Sequence, residues 1–130
     1  MIKYLFIPFI FLNCHAGFFE FADAIWQVET NKGRGHILGD NGKSLGPLQI
    51  SRFCWTDAQE HGNFGGEYED VVNLEYARMV LFYYILKYEP EIWVKQDWES
   101  MARLWNGGPN WRNKMESTDQ YWGKVKKLIE

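Results

Sequence analysis

Val28-Glu29-Thr30-Asn31-Lys32-Gly33-Arg34-Gly35-His36-Ile37-Leu38-Gly39-Asp40-Asn41-Gly42-Lys43-Ser44-Leu45-Gly46-Pro47-Leu48-Gln49-Ile50 is the stretch on which the reading of this chain turns. It opens with an acid at the end of an apolar, helix-like run. Gly33, Gly35, Gly39, Gly42 and Gly46 then follow, too many glycines for a helix. His36-Ile37-Leu38 is expected as a short strand. Gly39-Asp40-Asn41-Gly42 is a strong turn signal, because Asn41-Gly42 suits the two left-handed residues of a type I′ hairpin. The stretch therefore predicts a helix end running into a small hairpin, with carboxylates at Glu29 and Asp40.

Upstream, Phe18, Phe19, Phe21, Ala22, Ala24, Ile25, Trp26 and Val28 include i, i+3, i+4 and i+7 relations, the spacing of a helix that is mostly buried. Glu29 falls near the end of that helix, where the dipole opposes ionisation. Packed against Trp26 or Ile25, its carboxyl is expected to have a raised pKa; an exposed helix-end Glu is the alternative reading. Before Gly17 the chain has the form of a secretory signal peptide: Lys3 as a positive start, an apolar Tyr4–Leu12, and Ala16 before the cut. The apolar run is about half of the ~20 residues needed to span a bilayer. Residues 1–16 are thus expected as a leader and 17–130 as the working domain of a secreted protein. A short buried N-terminal helix is the alternative, and a lipid anchor on Cys14 is disfavoured by Asn13 before it.

Downstream, Ser51 to Gln59 is expected as a helix after a turn. Asp70 is expected to cap a helix of about eighteen residues, with Val72, Ala77, Val80, Leu81, Tyr84, Ile85 and Tyr88 inward and Pro90 as its stop. Asp97 opens a short helix that Asn106-Gly107-Gly108-Pro109 ends. Ser117-Thr118-Asp119-Gln120 has capping-box form, ahead of a terminal helix with Tyr121, Val125 and Leu128 on one face. The expected fold class is α+β, mostly helical, with one small β-hairpin region. No internal repeat or low-complexity linker is present.

At 130 residues the chain is one domain by length, and 46% hydrophobic with 18% aromatic residues excludes disorder. A net charge of −3, one unit more negative without the segment holding Lys3, is no nucleic-acid footprint. Nor does it steer the chain towards anionic bacterial surfaces. Without Cys14, Cys54 has no disulfide partner and reads as a small buried hydrophobe. His36 has no second His at ligand spacing, so neither a metal nor a cofactor is expected.

Two acids with different surroundings on a turn-rich loop suit acid-assisted cleavage of a glycosidic bond. Against this, on spacing alone local turn chemistry explains Asp40 better than catalysis does. Three pieces stand in order: Val28-Glu29-Thr30, Gly46-Pro47-Leu48-Gln49-Ile50 and Ala102-Arg103-Leu104-Trp105-Asn106-Gly107-Gly108-Pro109. With Asp40 ahead of Ser44-Leu45-Gly46, Trp55-Thr56-Asp57 and Tyr121-Trp122, they resemble the lysozyme and lytic transglycosylase superfamily. The resemblance is nearest to the invertebrate-type (destabilase-like) lysozymes and runs from about Phe21 to Lys127. It implies a lysozyme-like fold, with Glu29 as general acid and Asp40 as nucleophile or stabiliser. It also implies substrate contacts from Ser44, Gln49, Asn106, Gly107 and His36, although Gln49 also reads as structural. The substrate implied is peptidoglycan or a chitooligosaccharide; no nucleic acid and, after leader cleavage, no membrane is implied, and the oligomeric state is open. The chain departs from the disulfide-rich family in its single Cys after Gly17, so its core must supply that stability. The isopeptidase activity of some relatives invites a Lys43-Ser44 dyad, but adjacent side chains point apart. A lytic transglycosylase using Glu29 alone and a non-catalytic sugar binder are the rival readings.

Overall fold

The computed structural model describes residues 17–130. The expected leader, with Cys14, lies outside the described residues. Helix α1, residues 17–30, buries Phe18, Phe21, Ala22, Ala24, Ile25 and Trp26. Phe21 stacks on Trp98 with ring centroids 5.3 Å apart. Removing a side chain such as Phe21 or Ile25 from water stabilises the fold by about 1.5–3 kcal/mol. Asn31 and Lys32 then take positive φ, 54° and 59°, and end the helix. The Trp26 indole N–H donates to the Gly33 carbonyl at 2.7 Å and folds the departing chain back on α1.

Three two-residue strands follow: β1 Leu38–Gly39, β2 Ser44–Leu45 and β3 Ile50–Ser51, antiparallel in the order β1-β2-β3. Leu38 faces Leu45, Ser44 faces Ser51, and Leu45 faces Ile50. The first strand starts later than the expected His36–Leu38, because the Ile37 N–H turns back to the Gly35 carbonyl at 3.0 Å. Asn41 (φ 55°, ψ 38°) and Gly42 (φ 83°) are left-handed, as a type I′ turn requires, and the Lys43 N–H closes on the Asp40 carbonyl at 3.1 Å.

The β2–β3 connection packs closely against the 68–72 segment. Gly46 has φ 84°, and a Cβ there would run into the Val71 carbonyl, so only glycine fits. Thr30 donates its hydroxyl to the Pro47 carbonyl at 2.8 Å, tying the end of α1 to this turn. Leu48 and Ile50 are fully buried.

Helix α2, Arg52–Gly62, is capped by Ser51, whose hydroxyl accepts the Cys54 N–H. The single helix expected from Asp70 is instead two pieces: a 3-10 turn, Tyr68–Val72, and α3, Leu74–Tyr88. Asp70 accepts the Glu67 N–H within the first piece, and Asn73, in extended backbone, caps the second through Tyr76. Ala77, Val80, Leu81, Tyr84 and Ile85 of α3 are buried as expected, while Val72 and Tyr88 are half-buried.

Pro90 both stops α3 and starts an unexpected helix, α4, Pro90–Lys95, since its missing N–H costs nothing in a first turn. Helix α5, Trp98–Gly107, is capped by Asp97, and α6 spans Asp119–Ile129. The expected capping box at α6 does not form. Thr118 stands at the N-cap without capping the helix; its hydroxyl instead donates to the Lys114 carbonyl at 2.7 Å and accepts from Arg103 at 3.0 Å. Along α6, Val125 is fully buried, but Leu128 is exposed and Ile129 takes the inner position. The described residues are thus mostly helical with a small antiparallel sheet, an α+β arrangement. Among them, no helix is long and apolar enough to cross a membrane.

Candidate active site

Glu29 occupies the last turn of α1, beside the turn that Thr30 anchors. Its hydrogen-bond partners come from the other end of the chain rather than from its own helix. Tyr121 of α6 donates its hydroxyl to Glu29 Oε2 at 2.8 Å, and Trp105 of α5 also hydrogen-bonds the carboxyl. Burial raises the Glu29 pKa from 4.5 to about 7, because desolvation penalises the anion more than the two hydrogen bonds favour it. The Tyr121 hydroxyl is itself held well above its ordinary value by burial, then by the Glu29 charge, and so remains a donor.

This pair gives a direct test. A donor to a carboxylate stabilises the charged form, so Tyr121→Phe should raise the Glu29 pKa further, by about one unit for a charge-assisted bond of this kind. Carboxyl carbon NMR titration of the two proteins measures it, and a downward shift would contradict the arrangement.

The Glu29 carboxyl lines a cleft of about 590 Å³. Asp40 lines the same cleft from the hairpin, exposed and at φ 50°. Ser44 and Ser51, directly opposed across β2 and β3, contribute hydroxyls. Asn106, Gly107 and Gly108 form another wall where α5 ends, with the Gly108 N–H closing on the Leu104 carbonyl at 2.8 Å. Trp105 stands edge-on to Tyr84, 5.7 Å between centroids, and both line the cleft. The structure thus brings Glu29, Asp40, Ser44, Gln49, Asn106 and Gly107 around one space. His36 is exposed and does not line it.

Gln49 has a structural task within that lining. Its amide nitrogen donates to the carbonyls of Ile37, at 3.1 Å, and Gly46, at 3.0 Å. Its amide oxygen sits where a Cβ on Gly39 would be, so Gly39 and Gln49 fix the sheet together. Cys54 reaches the cleft, but burial, then the Asp57 charge, pushes its thiol well above the ordinary range, so it is no thiolate nucleophile. Among the described residues no group of three His, Cys, Asp or Glu is arranged to hold a metal.

No protein-family model matches the chain, and no curated protein matches it. The roles of Trp105 and Tyr121 at Glu29 are not visible from the Val28–Ile50 stretch. Both stood within quoted stretches, but Tyr121 lies 92 residues from Glu29, and no local pattern joins them.

Proposed function

We propose that this chain is a lysozyme-type glycoside hydrolase, with a lysozyme-like fold, that cleaves β-1,4 bonds of the peptidoglycan backbone. The observation that carries the reading is Glu29: a carboxyl protonated up to about pH 7, in a cleft that also holds a second carboxylate, Asp40. A general acid works best with a pKa near the operating pH, and a positioned acid contributes roughly 10²–10⁴-fold. The ordered resemblance of the Glu29, Gly46–Ile50 and Asn106–Pro109 stretches to invertebrate-type lysozymes points the same way.

In this mechanism the Glu29 O–H gives its proton to the glycosidic oxygen as the C1–O bond breaks, and the leaving sugar departs as an alcohol. The Asp40 carboxylate meets the positive charge at C1, as covalent nucleophile or as counter-ion. Water then adds at C1, losing its proton to the Glu29 carboxylate, and both acids return to their starting states. The Ser44 and Ser51 hydroxyls and the Asn106 amide supply hydrogen bonds of the kind a sugar requires. The leader-like residues 1–16 support export to where such a substrate is met.

A second reading rests on the exposure of Asp40 at a hairpin tip with left-handed backbone. There Glu29 alone acts as acid and then base, and the sugar's own hydroxyl closes on C1, as in a lytic transglycosylase. Mass spectrometry of digested peptidoglycan separates the two. Hydrolysis leaves reducing ends carrying the mass of water, and a preponderance of 1,6-anhydro ends would overturn the hydrolase.

A further inference from the structure

Four hydrogen bonds converge on Arg103, a residue only 4% exposed between α5 and α6. Its Nε donates to Glu99 Oε2 at 2.9 Å, within α5. Nη1 donates to the Met115 carbonyl at 2.7 Å and to the Thr118 hydroxyl at 3.0 Å, and Nη2 donates to Asp119 Oδ1 at 3.0 Å. One side chain thus fastens α5 to the first turn of α6 and to the residues that lead into it. Stability alone does not call for it. Its carboxylate partners, Glu99 and Asp119, have side chains 45% and 75% exposed, where screening leaves an ion pair little. For stability, a well-packed apolar side chain of similar size serves a buried position at least as well as a cation so partnered. What a guanidinium adds is geometry: a rigid planar fork of donors, here set between two helices.

The same two helices carry the donors to Glu29. Trp105 stands two residues after Arg103 on α5, and Tyr121 two residues after Asp119 on α6. Tyr121 donates to Glu29 Oε2 at 2.8 Å, and Trp105 bonds the same carboxyl. Helix α6 is otherwise lightly anchored. Of its eleven residues Val125 alone is buried, while Tyr121, Trp122 and Ile129 pack half-covered against the core. The place of its first turn, and with it the reach of the Tyr121 hydroxyl, is therefore set by the bonds that Arg103 makes.

We propose that Arg103 is a positioning residue for Glu29: by locking α5 to α6 it holds Trp105 and Tyr121 where both donate to the carboxyl. Its consequence for cleavage rests on the reading of Glu29 as general acid, whereas its hold on the two donors does not. Arg103 itself does not line the cleft. It acts at one remove, and a misplacement of about 1 Å caused by a change away from the chemistry is enough to cost up to about 10²-fold in rate.

The test is proton–nitrogen NMR of the Trp105 indole N–H across the range in which Glu29 titrates, joined to steady-state kinetics on soluble muramyl oligosaccharides. The proteins compared are the wild type, Arg103→Lys and, as control, Arg112→Lys, which cuts the forked pair to Glu89 outside the cleft. Lysine keeps the charge of Arg103 but offers a point in place of a fork. In the wild type the indole proton should move as Glu29 ionises, with a midpoint of about 7. In Arg103→Lys that movement should shrink by about half or more, because a hydrogen bond weakens steeply once its geometry is lost. The kcat should fall about tenfold with KM nearly unchanged. The control should keep the movement and the kcat, even where it melts earlier. Should Arg103→Lys fail to fold, Thr118→Val decides: it removes the hydroxyl that Arg103 holds, while the Lys114 carbonyl keeps the Thr118 N–H at 3.0 Å. An indole that does not follow Glu29 in the wild type, or one whose movement is undiminished in the folded variant, would overturn the inference and leave Arg103 a structural cation. Loss of the movement in a protein whose wild type cleaves nothing would instead overturn the proposed function and leave this inference standing.

Discussion

Glu29→Gln should abolish cleavage of peptidoglycan, by about 10³-fold or more, while making the protein more stable at neutral pH. The loss follows from the proposed chemistry. Gln is isosteric and still accepts the Tyr121 hydroxyl, but it has no proton to give the leaving oxygen. The gain follows from linkage. In the unfolded chain the carboxyl titrates near 4.5, and in the native protein near 7. Below pH 4.5 both states hold the proton and the group contributes no difference. Between 4.5 and 7 the native state keeps a proton that the unfolded state has lost, so stability falls as pH rises. Above 7 the loss is complete, and at about 1.4 kcal/mol per pH unit it amounts to about 3 kcal/mol. Urea unfolding should therefore show the variant about 3 kcal/mol more stable than the wild type at pH 8 and equal to it at pH 4. Activity of the wild type should fall above pH 7, as the acid ionises. A variant that is inactive and also less stable at pH 8 would mean that Glu29 is a structural carboxylate.

That opposition between stability and activity shows which parts of the site were legible in the sequence. Glu29 was legible as a position, because a buried apolar helix ends on it and a glycine-rich turn follows. The cause of its perturbed acidity was not. Its sequence neighbours Trp26 and Ile25 do not supply it: the Trp26 indole is committed to the Gly33 carbonyl, and the groups that meet Glu29 arrive from α5 and α6. The joint between those two helices was equally hidden. Arg103, only 4% exposed, spans from Glu99 to Asp119 and takes the Thr118 hydroxyl with it. Ser117–Gln120 satisfies the local rule for a capping box, and a buried guanidinium sixteen residues from Asp119 overrides it.

The split at Asn73 has the same origin. Asp70 and Asn73 are equally good caps by propensity. The close approach of Gly46 to the Val71 carbonyl places the 68–72 turn against the β2–β3 connection, a long-range contact that no window of sequence contains. The hairpin, by contrast, was legible almost to the residue, because Asn41-Gly42 specifies its geometry locally.

Asp40→Asn is the second decisive substitution, and the hairpin makes it unusually clean. Asp40 sits at φ 50° in an exposed turn, a conformation asparagine adopts at least as readily as aspartate. The variant should therefore fold with unchanged stability, within about 0.5 kcal/mol, as expected for a surface exchange. What it loses is one negative charge in the cleft. If that charge stabilises the developing cation at C1, it does so in the transition state and hardly at all in the ground state. The cost then falls on kcat, with KM nearly unchanged. Loss of one well-placed electrostatic partner costs about 10²–10³-fold in kcat, or roughly 3–4 kcal/mol of barrier. Steady-state kinetics on soluble muramyl oligosaccharides measures both constants. A loss under tenfold, with 1,6-anhydro ends among the products, would leave Glu29 as the sole acid and base and reduce Asp40 to the turn residue that its sequence context also describes.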